Sequence, residues 1–103
     1  MEIEIIRQLC RSGAMQWTYH VMARLIQRGI STDDVKYAIM NGEIIEEYRD
    51  DTPYPSCLIL AILMTGHPLH VVCGVAPEKL WFITAYYPNP DEWKPDFKHR
   101  KER

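Results

Sequence analysis

The residues best suited to chemistry in this sequence include a histidine and two arginines in the segment YHVMARLIQRG. His20, Arg24 and Arg28 follow one another at intervals of four residues, which places side chains on one face of a helix. Arginine offers a forked set of donors to a phosphate, and histidine exchanges a proton near neutral pH. This face therefore has the groups that bind a phosphate and move a proton. An ordinary solvated helix face is the alternative that the spacing leaves open.

A second set of polar residues lies in two predicted strands, HPLHVVCGV and KLWFITAYY. Because strand side chains alternate between faces, Phe82, Thr84 and Tyr86 are predicted to share one face of their strand. The register between the strands cannot be read from the sequence, so it stays open whether His70 lies on the side of Thr84 and Tyr86. If it does, these residues converge on a metal-free acid–base site. A histidine buried in the core is the alternative for His70.

Several kinds of site have no sequence signature here. There is no HExxH, no paired CxxC and no glycine-rich phosphate loop, so neither a metal nor a cofactor is expected. The three cysteines are an odd number, and we expect them to be reduced and structural. The net charge of −2 gives no overall attraction to nucleic acid. Tyr48 ends a predicted strand and either flanks a cleft or is solvated with the turn that follows it.

Periodicity and turn signals predict an α+β fold, in which two to three N-terminal helices pack on a three- to four-stranded antiparallel sheet. The helices are expected at residues 2–12, 17–28 and 31–41. Gly29 is expected to end the second helix and Asn41-Gly42 the third, and Ser31 with Asp34 three residues later resembles a capping box at the start of the third. The strands are expected at residues 43–48, 56–64, 67–75 and 79–87, with a hairpin turn at Thr65-Gly66. We expect a single domain over residues 1–103, with Trp93 pinning an irregular segment and a solvated charged tail at 94–103.

The sequence also predicts where the protein resides. The segment MEIEIIRQLC carries acidic residues and no long apolar core, unlike a secretion signal. No apolar stretch reaches the roughly 18 residues that a membrane helix requires. We therefore expect a cytoplasmic protein that does not enter a membrane.

Three collinear segments resemble the small bacterial domain family DUF 4258 over roughly residues 17–93. They are YHVMARLIQRGISTDDVKYAIMNGEIIEEY, DDTPYPSCLIL, and HPLHVVCGV with FITAYYPNPDEW. The resemblance implies a relation to the compact toxins of toxin–antitoxin pairs, similar in layout to the RelE, MqsR and BrnT groups, which cut RNA. The polar positions that match are His20, Arg24, Arg28, Tyr48, His70, Thr84 and Tyr86.

The resemblance implies a role for each of these residues in a metal-independent endoribonuclease. His20 or His70 would be the base and the acid, and Arg24, Arg28 and Tyr48 would bind RNA. Thr84 and Tyr86 would be catalytic as orienting donors. A cognate antitoxin, in some cases of the zinc-finger type, is the implied partner, and a homodimer stays open. The alternative function is a non-catalytic protein-binding domain that uses Tyr86, Tyr87 and Trp93.

Overall fold

Three helices precede most of a five-stranded sheet in the computed structural model, which describes residues 1–102. The helices are α1 (Ile3–Arg11), α2 (Tyr19–Arg28) and α3 (Thr32–Asn41). The strands are β1 (Met15–Gln16), β2 (Glu43–Tyr48), β3 (Ser56–Ile62), β4 (Pro68–Val75) and β5 (Leu80–Tyr86). The predicted α+β class and the predicted order of helices before antiparallel strands are therefore confirmed. No helix within residues 1–102 is long and apolar enough to cross a membrane.

The sheet differs from the prediction in its first strand. Its order is β1-β5-β4-β3-β2, and β2 to β5 are antiparallel as expected. The short β1, between α1 and α2, pairs in parallel with β5, with Met15 opposite Leu80 and Gln16 opposite Trp81. A strand of two residues has no alternation to detect, because it is defined only by the long-range pairing that completes it. The sheet is therefore mixed.

Local signals place the ends of α2 and α3 correctly. The Thr18 side chain accepts a hydrogen bond from the Val21 amide at 3.2 Å, and Gly29 ends α2 in the left-handed region with φ 68°. Ser31 and Asp34 form a reciprocal capping box at the start of α3. These side chains satisfy amides that the first turn of a helix leaves without an intrahelical partner.

Gly42 follows α3 for a reason that the sequence did not indicate. Its φ is −93°, so the residue does not form the left-handed cap that Asn41-Gly42 suggests. A Cβ atom at Gly42 would lie 2.5 Å from the carbonyl oxygens of both Ala38 and Leu60. The glycine is therefore required because helix α3 and strand β3 approach closely at this point.

The apolar core lies between one face of the sheet and helices α1 and α3. Helix α2 lies beside β5 instead. It buries Leu25, whereas Tyr19 and Ile26 are 91% and 79% exposed. These two side chains are exposed because a helix that covers one edge of a sheet buries only a narrow strip.

The second face of the sheet is covered by the C-terminal segment 87–102, which we call the tail. Trp93 is 2% exposed, which confirms that it pins this segment and excludes it as a binding anchor on the surface. The charged end is also bound to the sheet, because Arg100 contacts Glu46 and Lys98 contacts Glu43. The charged side chains of residues 94–102 are exposed, as expected for a solvated tail, and Lys98 and Arg100 are also held by ion pairs to acidic residues of this sheet face.

Candidate functional site

The sheet face opposite α1 and α3, here called the tail face, carries three rows of side chains defined by the strand register. Residues directly opposite each other in a sheet share a face. The first row is Tyr48, Ser56, Gly74 and Trp81. The second is Glu46, Leu58, Val72 and Thr84, and the third is Glu43, Leu60, His70 and Tyr86. The register thus brings two carboxylates, an imidazole, an indole, two aliphatic hydroxyls and two phenols to one surface.

The register answers the question that the sequence left open about His70. His70 is paired with Tyr86, and Val72 with Thr84, so all four share the tail face. The register shifts between Val72 and Cys73 because Ile83 of β5 has no residue opposite it, a bulge that places Phe82 in the helix-side core. The predicted common face of Phe82 and Thr84 is therefore wrong, because a bulge breaks the two-residue alternation.

His70 is fully buried beneath the tail. Its Nε2 lies 2.8 Å from the Phe97 carbonyl oxygen, and its Nδ1 lies 3.4 Å from the Tyr86 hydroxyl. A carbonyl only accepts, so Nε2 carries the proton and Nδ1 accepts from Tyr86. The Trp93 ring packs edge-on against the imidazole at a centroid distance of 4.5 Å. In this arrangement His70 joins the sheet to the tail, and both of its nitrogens are occupied.

Burial lowers the pKa of His70, although the hydrogen bond to Phe97 and the charge of Glu46 act in the opposite direction. Burial raises the pKa of Tyr86. At neutral pH the imidazole is therefore neutral and the phenol is protonated.

Sequence reasoning missed two residues of the tail face, Glu46 and Arg100. Arg100 donates to both carboxylate oxygens of Glu46, from Nε at 3.0 Å and from Nη2 at 3.1 Å. Tyr48 donates a short hydrogen bond to the same carboxylate. The Arg100 guanidinium also lies over the Trp93 ring, 4.5 Å from its centroid. The two-residue spacing of Glu46 and Tyr48 in EIIEEY could have indicated that their side chains share a face of the strand. No local pattern in the sequence indicates that Arg100 contacts Glu46, which lies 54 residues earlier.

The ionisation of this cluster follows from its contacts. Burial alone would raise the pKa of Glu46, but the hydrogen bonds from Arg100 and Tyr48 and the charge of Arg100 lower it. Burial and the bond to Glu46 raise the pKa of Tyr48 to about 12. The pKa of Arg100 is raised by its hydrogen bond to Glu46. The cluster therefore combines an anionic carboxylate, a permanent cation and a protonated phenol.

The predicted phosphate-binding face of α2 lies at the edge of β5. Arg28 donates from Nη1 to the Thr84 hydroxyl at 3.1 Å and to the Ala85 carbonyl at 2.7 Å. His20 and Arg24 are exposed. Together with Arg28 and Thr84 they line a pocket of about 120 Å³. The structure thus groups His20, Arg24, Arg28 and Thr84, while Arg28 satisfies a backbone carbonyl of the strand edge.

The predicted site is therefore divided between two surfaces. His70 and Tyr86 contact each other under the tail, and His20 and Arg24 lie on the exposed side of α2. Thr84 belongs to the second row of the tail face and also contacts Arg28. Within the described part of the chain, no three His, Cys, Asp or Glu side chains are grouped to hold a metal ion.

Comparison with known families matches residues 17–87, more than half of the chain, to the model described as "Domain of unknown function (DUF4258)". The chain belongs to the DUF4258 family. Comparisons with curated proteins and with solved structures give no match. Four residues of the tail face, Glu46, Tyr48, His70 and Tyr86, lie inside the DUF4258 region. The tail residues that contact them lie beyond its end at residue 87.

Proposed function

We propose that this DUF4258 protein is the toxin-like member of a bacterial toxin–antitoxin pair and a metal-independent endoribonuclease in the cytoplasm. One observation carries the proposal: the Glu46 carboxylate is held by the Arg100 guanidinium and the Tyr48 phenol on the tail face. These are a base, a cation for a phosphate and a proton donor. RNA supplies its own nucleophile, the 2′-hydroxyl, so that these three groups suffice for internal transesterification.

The proton balance of the proposed reaction is simple. Glu46 accepts the proton of the 2′-hydroxyl as that oxygen attacks the adjacent phosphorus. Tyr48 protonates the departing 5′-oxygen, and Arg100 stabilises the charge of the phosphorane. A cyclic phosphate and a free 5′-hydroxyl result. Binding of RNA must displace the Tyr48–Glu46 hydrogen bond and at least one of the two Arg100–Glu46 hydrogen bonds, because the phenol and the cation both donate to the carboxylate in the free protein. After product release, the proton gained by Glu46 returns to Tyr48 when their hydrogen bond forms again.

The residues first selected from the sequence take supporting positions in this proposal. Tyr86, which is protonated, becomes an orienting donor when RNA replaces His70 as the acceptor of its hydroxyl proton. His20 and Arg24 are exposed and bind the RNA backbone beside Thr84. Arg28 and His70 hold β5 and the tail in place through contacts at 2.7 Å and 2.8 Å. Their substitution is expected to affect stability more than the chemical step.

The test is cleavage of single-stranded RNA by the purified chain in the presence of EDTA. Glu46→Gln removes the base and keeps the size of the side chain, so we expect the cleavage rate to fall by about 100-fold or more. Glu78→Gln is the matched control, because Glu78 is exposed at the turn between β4 and β5. RNA that stays intact with the wild-type chain, or equal rates for wild type and Glu46→Gln, would contradict the proposal.

A second candidate function is a protein-binding domain without catalysis. It is favoured by the exposure of Tyr19 and Ile26, which lie seven residues apart and therefore on one side of α2. The same surface would bind a cognate antitoxin of the zinc-finger type, or a second copy of the chain. RNA that stays intact, together with co-purification of the protein encoded next to this one, would favour this second function.

A further inference from the structure

A groove of about 490 Å³ lies beside the first row of side chains and extends to the start of α2 at Thr18 and Val21. Gly74 and Trp81 form part of its floor, and the loop between β2 and β3 supplies Asp51, Pro53 and Tyr54. The lining is mostly apolar, and the volume is typical of sites for small organic groups. Its polar groups therefore determine what it binds.

Two polar groups of the groove have hydrogen-bonding capacity to spare. The Trp81 indole nitrogen is buried, and no partner for it is found in residues 1–102. A buried donor without a partner is unfavourable. Asp51 accepts from the Ser56 hydroxyl at 2.6 Å through one carboxylate oxygen, and the carboxylate has further lone pairs available. The groove thus offers the Asp51 carboxylate as an acceptor between aromatic walls, whereas the indole nitrogen of Trp81 is shielded from solvent.

The positive charge next to the groove is Lys79, whose ammonium lies 5.4 Å from the centroid of the Trp81 ring. Flat apolar walls, a few hydrogen-bonding groups and an adjacent cation are the combination by which proteins hold single-stranded nucleic acid. The bases stack on aromatic side chains while the backbone phosphates contact cations. The Asp51 carboxylate selects an edge that donates, such as the exocyclic amine of cytosine or adenine.

We propose that this groove is a nucleobase subsite that receives a cytosine or adenine of a single strand, stacked on Trp81 or Tyr54 with its amino group donating to Asp51. The subsite is next to the proposed catalytic cluster, because Ser56 pairs with Tyr48 on one side and with Gly74 on the other. A base held here belongs to the strand whose phosphate reaches Arg100. The inference rests on the proposed ribonuclease function and adds a substrate preference to it.

Gly74 makes the groove testable. A Cβ atom there would lie 3.5 Å from Trp81 Cβ and 3.6 Å from Ile83 Cδ1, which is ordinary contact. Valine at this strand position is therefore compatible with the backbone, and its methyl groups extend into the groove. Asp51→Asn is the second variant, because it keeps the shape of the side chain and removes the carboxylate. Asp33→Asn, at an exposed position in the first turn of α3 on the other side of the sheet, is the matched control.

The experiment measures fluorescence anisotropy of labelled pentadeoxycytidylate and pentathymidylate titrated with the full chain. DNA has no 2′-hydroxyl, so binding is observed without cleavage. Thymine presents a carbonyl where cytosine presents an amine, and we expect the cytidine strand to bind about tenfold more tightly. Gly74→Val should weaken cytidine binding by about tenfold or more, the usual effect of losing one stacked base. Asp51→Asn should abolish the preference, and Asp33→Asn should change neither affinity nor preference.

The outcomes separate this inference from the proposed function. Wild-type affinity in Gly74→Val, a retained preference in Asp51→Asn, or absence of binding by both strands overturns the nucleobase subsite. If RNA is cleaved while either variant binds DNA as the wild type does, the subsite is wrong and the ribonuclease proposal stands. If the groove binds cytidine as described while RNA stays intact, the subsite stands and the ribonuclease proposal fails.

Discussion

At the scale of single residues, His70 shows how one side chain that is suited to catalysis serves the fold. It is completely buried, bonded through Nε2 to the Phe97 carbonyl and packed against Trp93. Phe97 itself has φ 57°, in the left-handed region that is unfavourable for a residue with a Cβ atom. Phe97, in this unfavourable conformation, provides the carbonyl oxygen that accepts the hydrogen bond of the buried His70 imidazole.

The lowered pKa of His70 gives a pH prediction with a definite sign. Because the folded pKa lies below the ordinary 6.5, the unfolded chain binds the extra proton first as the pH falls. The contribution of His70 to stability is therefore complete above about pH 6.5 and decreases below it. The urea concentration at the midpoint of unfolding of the wild type should therefore decrease when the pH is lowered from 7 to 5.

His70→Gln is the variant that isolates this effect, because its amide can still donate to Phe97. It should cost about 1–3 kcal/mol at pH 7 through the altered buried hydrogen bonds, and its urea midpoint should depend less on pH. An equally steep loss of stability in His70→Gln between pH 7 and pH 5 would show that other groups cause it.

At the scale of elements, helix α3 combines strong local signals with a close contact to the sheet. Its capping box was readable from Ser31 and Asp34, which satisfy each other's backbone amides at 3.0 Å and 3.3 Å. Ser31→Ala should lower the free energy of unfolding by about 1 kcal/mol, because it leaves an amide of the first turn without its side-chain acceptor. Denaturant unfolding measures this change.

Ser12 provides a matched control for Ser31. It lies just past the end of α1 and its hydroxyl donates to the Leu9 carbonyl at 3.1 Å in an exposed position. Ser12→Ala should change stability by less than about 0.5 kcal/mol, as is usual for surface positions. Equal losses for the two serine variants would argue against a specific contribution of the cap.

At the scale of the whole molecule, the tail completes a second core on the face that the helices leave open. Trp93 lies within it, between His70 and the Arg100 guanidinium. Lys98 and Arg100 bind Glu43 and Glu46 at the rim of the same face. The DUF4258 match ends at residue 87, so the segment that covers the proposed catalytic cluster lies outside the matched region.

Trp93→Ala therefore tests the tail as a unit. Removing a buried tryptophan should cost about 3–5 kcal/mol of stability, measured by urea unfolding. Loss of this anchor should also make the chain after residue 87 accessible to limited proteolysis, while the sheet stays resistant. Unchanged stability, or proteolysis that begins within the sheet, would contradict the role assigned to the tail.

The sequence by itself determined the elements whose signals are local. Gly29 and the Ser31–Asp34 box fixed the boundaries of two helices, and Thr65-Gly66 fixed the hairpin, because caps and turns depend on neighbouring residues. The sequence also identified His70, Thr84 and Tyr86 as polar positions in apolar strands. These predictions needed only the helical and strand periods and the conformations that particular residues favour.

Only the tertiary structure decided which of these residues meet. Strand β1 exists through its pairing with β5, the bulge at Ile83 moved Phe82 to the core, and Arg100 reached Glu46 across 54 residues. Register and long-range ion pairs depend on how whole elements pack, and no local pattern encodes them. For the same reason, the sequence identified polar residues suited to acid–base chemistry, whereas the packed sheet and tail placed the carboxylate, the guanidinium and the phenol together.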